Sequence, residues 1–408
     1  MMLAFLGVVA CTPDPEGRIG GDGVAIEGLP AVPPMGWNSW NTFGCNITEQ
    51  IVREQADALV ATGLRDAGYR HVIVDDCWAA PLRAADGSLQ AEPSRFPSGM
   101  AALGQYLHER GLKFGLYSGA SDQTCTQLLG TYPGSTGSRG HEEQDARTFA
   151  DWQVDYLKYD WCSSDSDHGE QVTAFTAMRD AIRDTGRPIV YSINPNSGVA
   201  DMVPGAEFDW GGVATMTRIT NDIAPVWSTN ADSSGPQGVI DIVDAAQALA
   251  ARVGPSAFND PDMLVVGVDG NPGLTLAQQR TQMSMWAMMA APLIAGNDLT
   301  RMSTQTLDLL RNRAVIAIDQ DERVSAGAPV DDDAEIWARA IGEKGLVVSL
   351  TNRDDHPRPM SVSLSSLGLV GDVTVSAIDA WTGRRYQAEA GEITVDVGVN
   401  DTVLLQIA

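Results

Sequence analysis

Lys158 and Asp160 close an apolar run, Val154 to Leu157, inside the stretch Trp152–Cys162. In a strand, residues two apart point the same way, so both side chains would leave one face together. A lysine beside a carboxylate favours its ionised form, which is what a carboxylate nucleophile needs. Four other places repeat the pattern of polar residues after an apolar run. Asp75 and Asp76 follow His71–Val74, Tyr117 ends Lys113–Ser118, Asn194 ends Pro188–Asn194, and Arg218 and Asp222 lie in Met216–Asp222. Taken singly, Lys158–Asp160 reads as a structural ion pair, and Asn221 or Asp222 as a helix N-cap before Pro225. Their value depends on whether the chain brings them together.

The elements that must do so alternate between short apolar strands and helix-length amphipathic stretches. Strands are expected at Met35–Trp40, His71–Asp76, Lys113–Ser118, within Trp152–Cys162, and at Pro188–Asn194, Met216–Asp222, Ala257–Asp260 and Pro292–Ala295. Helical stretches are expected at Thr48–Ala67, Ala101–Arg110, His141–Trp152, Gln171–Thr185 and Leu274–Ala290. Fully apolar strands fit a parallel sheet covered on both faces. Eight such units over 33–325 suit a (β/α)8 TIM barrel, whose strand C-terminal ends converge on one face where active sites are built. A doubly wound sheet would want a Gly-rich phosphate loop after the first strand, and Met35-Gly36-Trp37-Asn38 offers none. From 326 to 408 the texture changes to short alternating strands separated by turns such as Thr382-Gly383, as in an antiparallel β-sandwich.

Composition excludes some partners. The chain has 408 residues, 44% of them hydrophobic, and a net charge of −26, so nucleic acid and anionic membrane surfaces would be repelled. Residues 1–32 hold a short apolar run, too short to span a bilayer, ending Val8-Val9-Ala10-Cys11 before a Pro- and Gly-rich linker. The pattern is that of a lipoprotein signal with Cys11 as the lipidation site, although no Lys or Arg precedes the run. Export, as a secreted or cell-envelope lipoprotein, is the expectation. Cys45, Cys77, Cys125 and Cys162 then suggest two disulfides, with three connectivities open. The five histidines show no ligand spacing, so no metal and no cofactor are expected.

Six segments together resemble glycoside hydrolase family 27, the α-galactosidase (melibiase) family: PPMGWNSWNTFGC (33–45), DAGYRHVIVDDCW (66–78), GLKFGLYS (111–118), DWQVDYLKYDWC (151–162), FNDPDMLVVG (258–267) and MMAAPLIAGNDL (288–299). The resemblance implies a retaining exo-glycosidase that releases terminal α-D-galactose from oligo- or polysaccharides. It makes Asp160 the nucleophile and Asp222 the general acid/base. Trp37, Asp75, Asp76, Tyr117, Lys158, Asn194 and Arg218 would hold the sugar. It also implies the pairs Cys45–Cys77 and Cys125–Cys162. Two departures stand out: Trp161 where the family has Gly or Asn, and Ser192-Ile193-Asn194-Pro195 where many members carry Cys-Glu-Trp.

Retaining hydrolysis needs two carboxyl groups roughly 5–5.5 Å apart, one ionised to attack and one protonated to assist departure. Lys158 is expected to keep Asp160 ionised, and Asp222, facing other carboxylates, to be raised enough to carry a proton. Asp75 and Asp76 could be a metal pair, but with no accompanying ligands sugar hydroxyls suit them better. Trp37 and Trp78 could offer a face to a sugar ring, with Trp40 structural. Asn194 can both donate and accept at the sugar's 2-position. Other readings are a relative of different specificity (a β-L-arabinopyranosidase, an α-N-acetylgalactosaminidase or an α-glucan-cleaving enzyme) or an inactive carbohydrate-binding protein.

Overall fold

A computed structural model describes residues 28–163, 167–197, 208–229, 235–369 and 375–407. Cys11 and the rest of the signal-like segment lie outside them. Eight strands form one parallel sheet: β1 (Met35–Asn38), β2 (His71–Val74), β3 (Lys113–Gly119), β4 (Tyr156–Asp160), β5 (Val190–Asn194), β6 (Met216–Arg218), β7 (Phe258–Asp260) and β8 (Leu293–Ala295). Their spatial order is β7-β6-β5-β4-β3-β2-β1-β8. The chain closes the ring just past β7, where Leu264 bridges Ala295 of β8 in parallel. This is the (β/α)8 barrel the alternation implied.

Strand alternation sorts each strand into a lower apolar residue and an upper polar one on the inward face. Tyr156, Lys158 and Asp160 follow one another at spacing two on β4, beside Val190, Ser192 and Asn194 on β5. Met216 and Arg218 then pair with Phe258 and Asp260. The lower residues, with Ile73 and Ile294, pack as one cluster that plugs the barrel. Gly115 makes room for that plug, since a Cβ there would sit 2.6 Å from Ile73 Cγ1. The upper residues are left to line an opening. The outward residues Leu157 and Tyr159 join the main core beneath the helices.

Helices were legible with shifted ends. The stretch Thr48–Ala67 is two helices, Glu49–Ala61 and Leu64–Ala67, because the chain turns at Gly63 with φ +80°. Five helices of the described residues lacked a clear signal in the sequence: Trp40–Phe43, Cys125–Leu128, Val239–Ala246, Thr304–Leu310 and Arg313–Asp319. The last two are one to two turns long, below the span over which a 3.6-residue period becomes readable.

The C-terminal unit has a six-stranded antiparallel sheet built from β9 (Ala328–Val330), β10 (Asp333–Ile341), β11 (Gly345–Thr351), β13 (Ser376–Asp379), β14 (Arg385–Gln387) and β16 (Thr402–Ile407). It faces a two-stranded sheet of β12 (Arg358–Ser363) and β15 (Glu392–Val397). Val348, Leu350, Val362, Ile393, Val395 and Leu405 fill the space between. The helix Leu276–Met289 lies between barrel and sandwich, and every residue from Thr281 to Met289 is buried. It therefore carries no polar stripe. Trp337, Val347 and Leu404 of the sandwich extend the barrel's own core, and Arg339 donates to the Ala287 carbonyl across the junction.

Candidate active site

The upper ends of the strands enclose a cavity of about 280 Å³. Its walls bring together eight of the nine predicted catalytic and substrate residues: Asp75, Asp76, Tyr117, Lys158, Asp160, Asn194, Arg218 and Asp222. Trp37 does not reach it. That ring is fully buried, and its indole N–H donates to the Asn297 carbonyl at 2.8 Å. Trp40, expected to be structural, lines the cavity instead, because β1 ends at Asn38 and a short helix carries Trp40 over the rim. Trp78 is also buried, with its N–H spent on the Tyr117 carbonyl at 2.8 Å.

Asp160 sits at the floor. It is 6% exposed and its Oδ1 has no hydrogen-bond partner. The Cys125 sulfur lies 3.9 Å from Oδ2, but as half of the Cys125–Cys162 disulfide it has no proton to give. A buried carboxyl without donors is rare, because leaving it unpaired costs free energy. Lys158 does not fill the gap. Its ammonium donates to Asp75 Oδ2 at 2.7 Å, so Lys158 acts on Asp160 through space alone. Burial pushes the Asp160 carboxyl up to about 7; Lys158 opposes this, and the charges of Asp75 and Asp222 add to it. The expectation that Lys158 keeps Asp160 ionised in the empty site is therefore corrected.

Asp222 is corrected in the opposite sense. It lies on the loop after β6 with its side chain 69% exposed, and Arg218 Nη2 donates to its Oδ1 at 2.6 Å. Desolvation at the rim favours the neutral acid, but the Arg218 and Lys158 charges outweigh it and hold the carboxyl below the usual range. The sequence showed the neighbouring carboxylates but not that the arginine four residues earlier would turn back onto Asp222.

The Asp75–Asp76 pair is held by donors from three elements. Asp75 accepts from Asn38 Nδ2 and Lys158 Nζ on Oδ2, and from the Asp76 N–H on Oδ1. Asp76 accepts from the Cys77 N–H, and from the Thr126 N–H and hydroxyl at 3.0 and 2.8 Å. Each carboxylate keeps about one acceptor position for a ligand. Burial raises Asp76, with Asp75 adding to it, against the pull of the Thr126 and Cys77 donors. Asn194 is more committed than expected. Its Oδ1 accepts the Asn196 N–H at 3.0 Å, which leaves its amide nitrogen as the group offered to the cavity. The same turn is pinned to the end of β4, where the Trp161 N–H donates to Ser197 Oγ at 2.8 Å.

Both cysteine pairings appear, Cys45–Cys77 and Cys125–Cys162. Among the described residues the one cluster of potential metal-ligating atoms is Cys125, Asp160 and Cys162, whose two sulfurs are bonded to each other rather than free as thiolates. Sequence reasoning missed Trp40, Thr126, Asp262 and Met263 as lining residues.

A family model described as alpha galactosidase A matches residues 32–321. The chain belongs to the α-galactosidase family and is a glycosidase. A second model, the alpha galactosidase C-terminal beta sandwich domain, matches residues 331–407. An alpha-galactosidase of Oryza sativa subsp. japonica is 40% identical over 92% of this chain and 84% of its own. Alpha-galactosidase A of Cellvibrio japonicus is 42% identical over 81% and 78%. The crystal structure of alpha-galactosidase I from Mortierella vinacea superposes with a TM-score of 0.83 at 30% identity, covering 93% of this chain and 98% of that one. Membership explains why carboxylates crowd one cavity despite their mutual repulsion: the α-galactosidase fold builds its pocket from strand ends that must converge.

Proposed function

We propose that this glycosidase hydrolyses terminal α-D-galactosides with retention, Asp160 attacking the anomeric carbon and Asp222 serving as acid and then base. The observation that carries the reading is the donor-free Asp160 carboxyl on the cavity floor, with an oxygen free to form a bond. β4 holds it in place, and the disulfide beside it fixes the strand's end. The acid/base must exchange a proton with solvent in every cycle, and the exposed carboxyl at the rim is suited to that. When sugar and aglycone fill the cavity, water leaves the Asp222 carboxyl and its neutral form gains. Positive charge developing at the anomeric carbon favours ionised Asp160 at the same time. Asp75, Asp76 and Lys158 take the hydroxyls far from the reacting carbon. Asn194, paired in register with Asp160 on the next strand, meets the substituent beside it through its amide nitrogen.

The proton affinities of the empty site favour a second reading, in which Asp160 is the acid and Asp222 the nucleophile. Azide separates the two. An aryl α-galactoside is incubated with azide and either Asp160→Ala or Asp222→Ala. Loss of the nucleophile lets azide enter directly from the β face, giving the β-galactosyl azide. Loss of the acid/base leaves a β-linked enzyme ester that azide opens to the α-galactosyl azide. The proposed roles require the β product from Asp160→Ala and the α product from Asp222→Ala; the reverse would exchange them.

Export fits the two disulfides, which form and persist in oxidising compartments. We propose an exported enzyme, with Cys11 as the site of a lipid anchor. Mass spectrometry of the mature N-terminus decides this, and an unmodified Met1 would overturn it.

A further inference from the structure

Asp262 has no role in the mechanism above, yet it touches both sides of the Asp222 loop. It is 4% exposed, on the segment after β7, and lines the cavity. Its Oδ2 accepts from Arg218 Nη2 at 2.5 Å and from the Ile223 N–H at 2.7 Å, while Oδ1 accepts the Met263 N–H at 2.8 Å. Arg218 Nη2 is the same atom that donates to Asp222 Oδ1. Two carboxylates therefore share one guanidinium nitrogen, and the inner one also grips the peptide that follows the outer one.

A carboxyl that must alternate between acid and base cannot sit against an arginine that belongs to it alone, because a full positive charge at contact would keep it ionised. A second, buried anion on the same arginine changes this. It spreads the guanidinium charge over two partners and gives Arg218 a place to stay when Asp222 becomes neutral. We propose that Asp262 is a positioning residue for catalysis: by sharing Arg218 with Asp222 and holding the Ile223 N–H, it tunes how readily Asp222 takes up a proton and fixes where that proton is delivered. The charged groups facing this pair among the described residues are Arg218 and Asp222 from β6 and its loop, Asp260 from β7, and Lys158 and Asp160 from β4. Burial raises Asp262 itself to about 6, with Arg218 pulling it back and the Asp222 and Asp260 charges adding, as expected for two acids competing for one cation.

The inference rests on Asp222 being the acid/base, which the azide products test separately. Its own test is kcat against pH, which reports the groups of the enzyme–substrate complex, for Asp262→Asn and Asp262→Glu, using an activated aryl α-galactoside and an alkyl α-galactoside with a poor leaving group. With Asp262→Asn the whole charge of Arg218 falls on Asp222, and the basic limb should move to lower pH by about one unit or more. The poor leaving group should lose at least ~10-fold more activity than the activated one, since only it needs the proton. Asp262→Glu restores the anion and should bring the limb back toward the wild-type position even if activity is reduced. An unmoved basic limb in folded Asp262→Asn, with equal loss on both substrates, would overturn the proposal. So would a limb displaced equally in both variants.

Discussion

Replacing Asp160 with Asn should abolish turnover and at the same time stabilise the protein, by an amount that grows with pH. The ordinary value of 3.8 for this carboxyl rises to about 7 in the fold, with burial as the main cause. The folded state therefore holds the proton more tightly than the unfolded chain. A group raised in this way costs nothing below the unfolded value and destabilises progressively as pH climbs toward the folded one. At about 1.4 kcal/mol per unit, a shift of roughly three units amounts to ~4 kcal/mol by neutral pH. Asn keeps the volume and removes the charge, so it escapes that loss. The pull of Lys158 is already part of that rise. A net gain of up to ~4 kcal/mol at pH 7 is the expectation, falling to near zero at pH 4. The assay is the denaturation midpoint of wild type and variant across that range, alongside turnover of an aryl α-galactoside. A variant no more stable at pH 7 than at pH 4, relative to wild type, would refute the claim that Asp160 is buried against its own charge.

Two further outcomes follow from the same geometry. Converting both Cys125 and Cys162 to Ser opens a cross-link between residues 37 apart in sequence, a loss of about 2–4 kcal/mol. It should reduce kcat/KM more than the Cys45/Cys77 double variant does, because Cys162 lies two residues past Asp160 and against the Tyr117 hydroxyl; equal effects would argue against a role in holding Asp160. An aryl β-L-arabinopyranoside, which lacks the C6 hydroxymethyl group, should be cleaved less efficiently than the α-D-galactopyranoside by about 10- to 100-fold. That is the equivalent of one hydrogen bond to a charged acceptor such as Asp76. A panel in which the arabinoside wins would remove Asp75 and Asp76 from that role.

The barrel was legible because its strands are short, apolar and bounded, and because polar residues recur at the same end of each one. Asp160 could be placed from the sequence since a two-residue period fixes direction within a strand. Direction along a strand says nothing of partners across the barrel. Lys158 points the same way as Asp160 but finds Asp75, just past β2 and 83 residues earlier, at 2.7 Å. Asp222 and Asp262 sit on loops after β6 and β7, where no period operates, so neither the exposure of one nor the burial of the other could be read. The tryptophans make the same point from packing. Trp37 lies in β1, where every residue is buried, whereas Trp40 lies past the strand's end and is free to lean over the opening. What a sequence resolves here is which residues leave a strand on the inner face. Which of them share a proton or an arginine depends on distances that only the closed barrel sets. The proton affinities of Asp160 and Asp222 are therefore opposite to the reading from nearest neighbours.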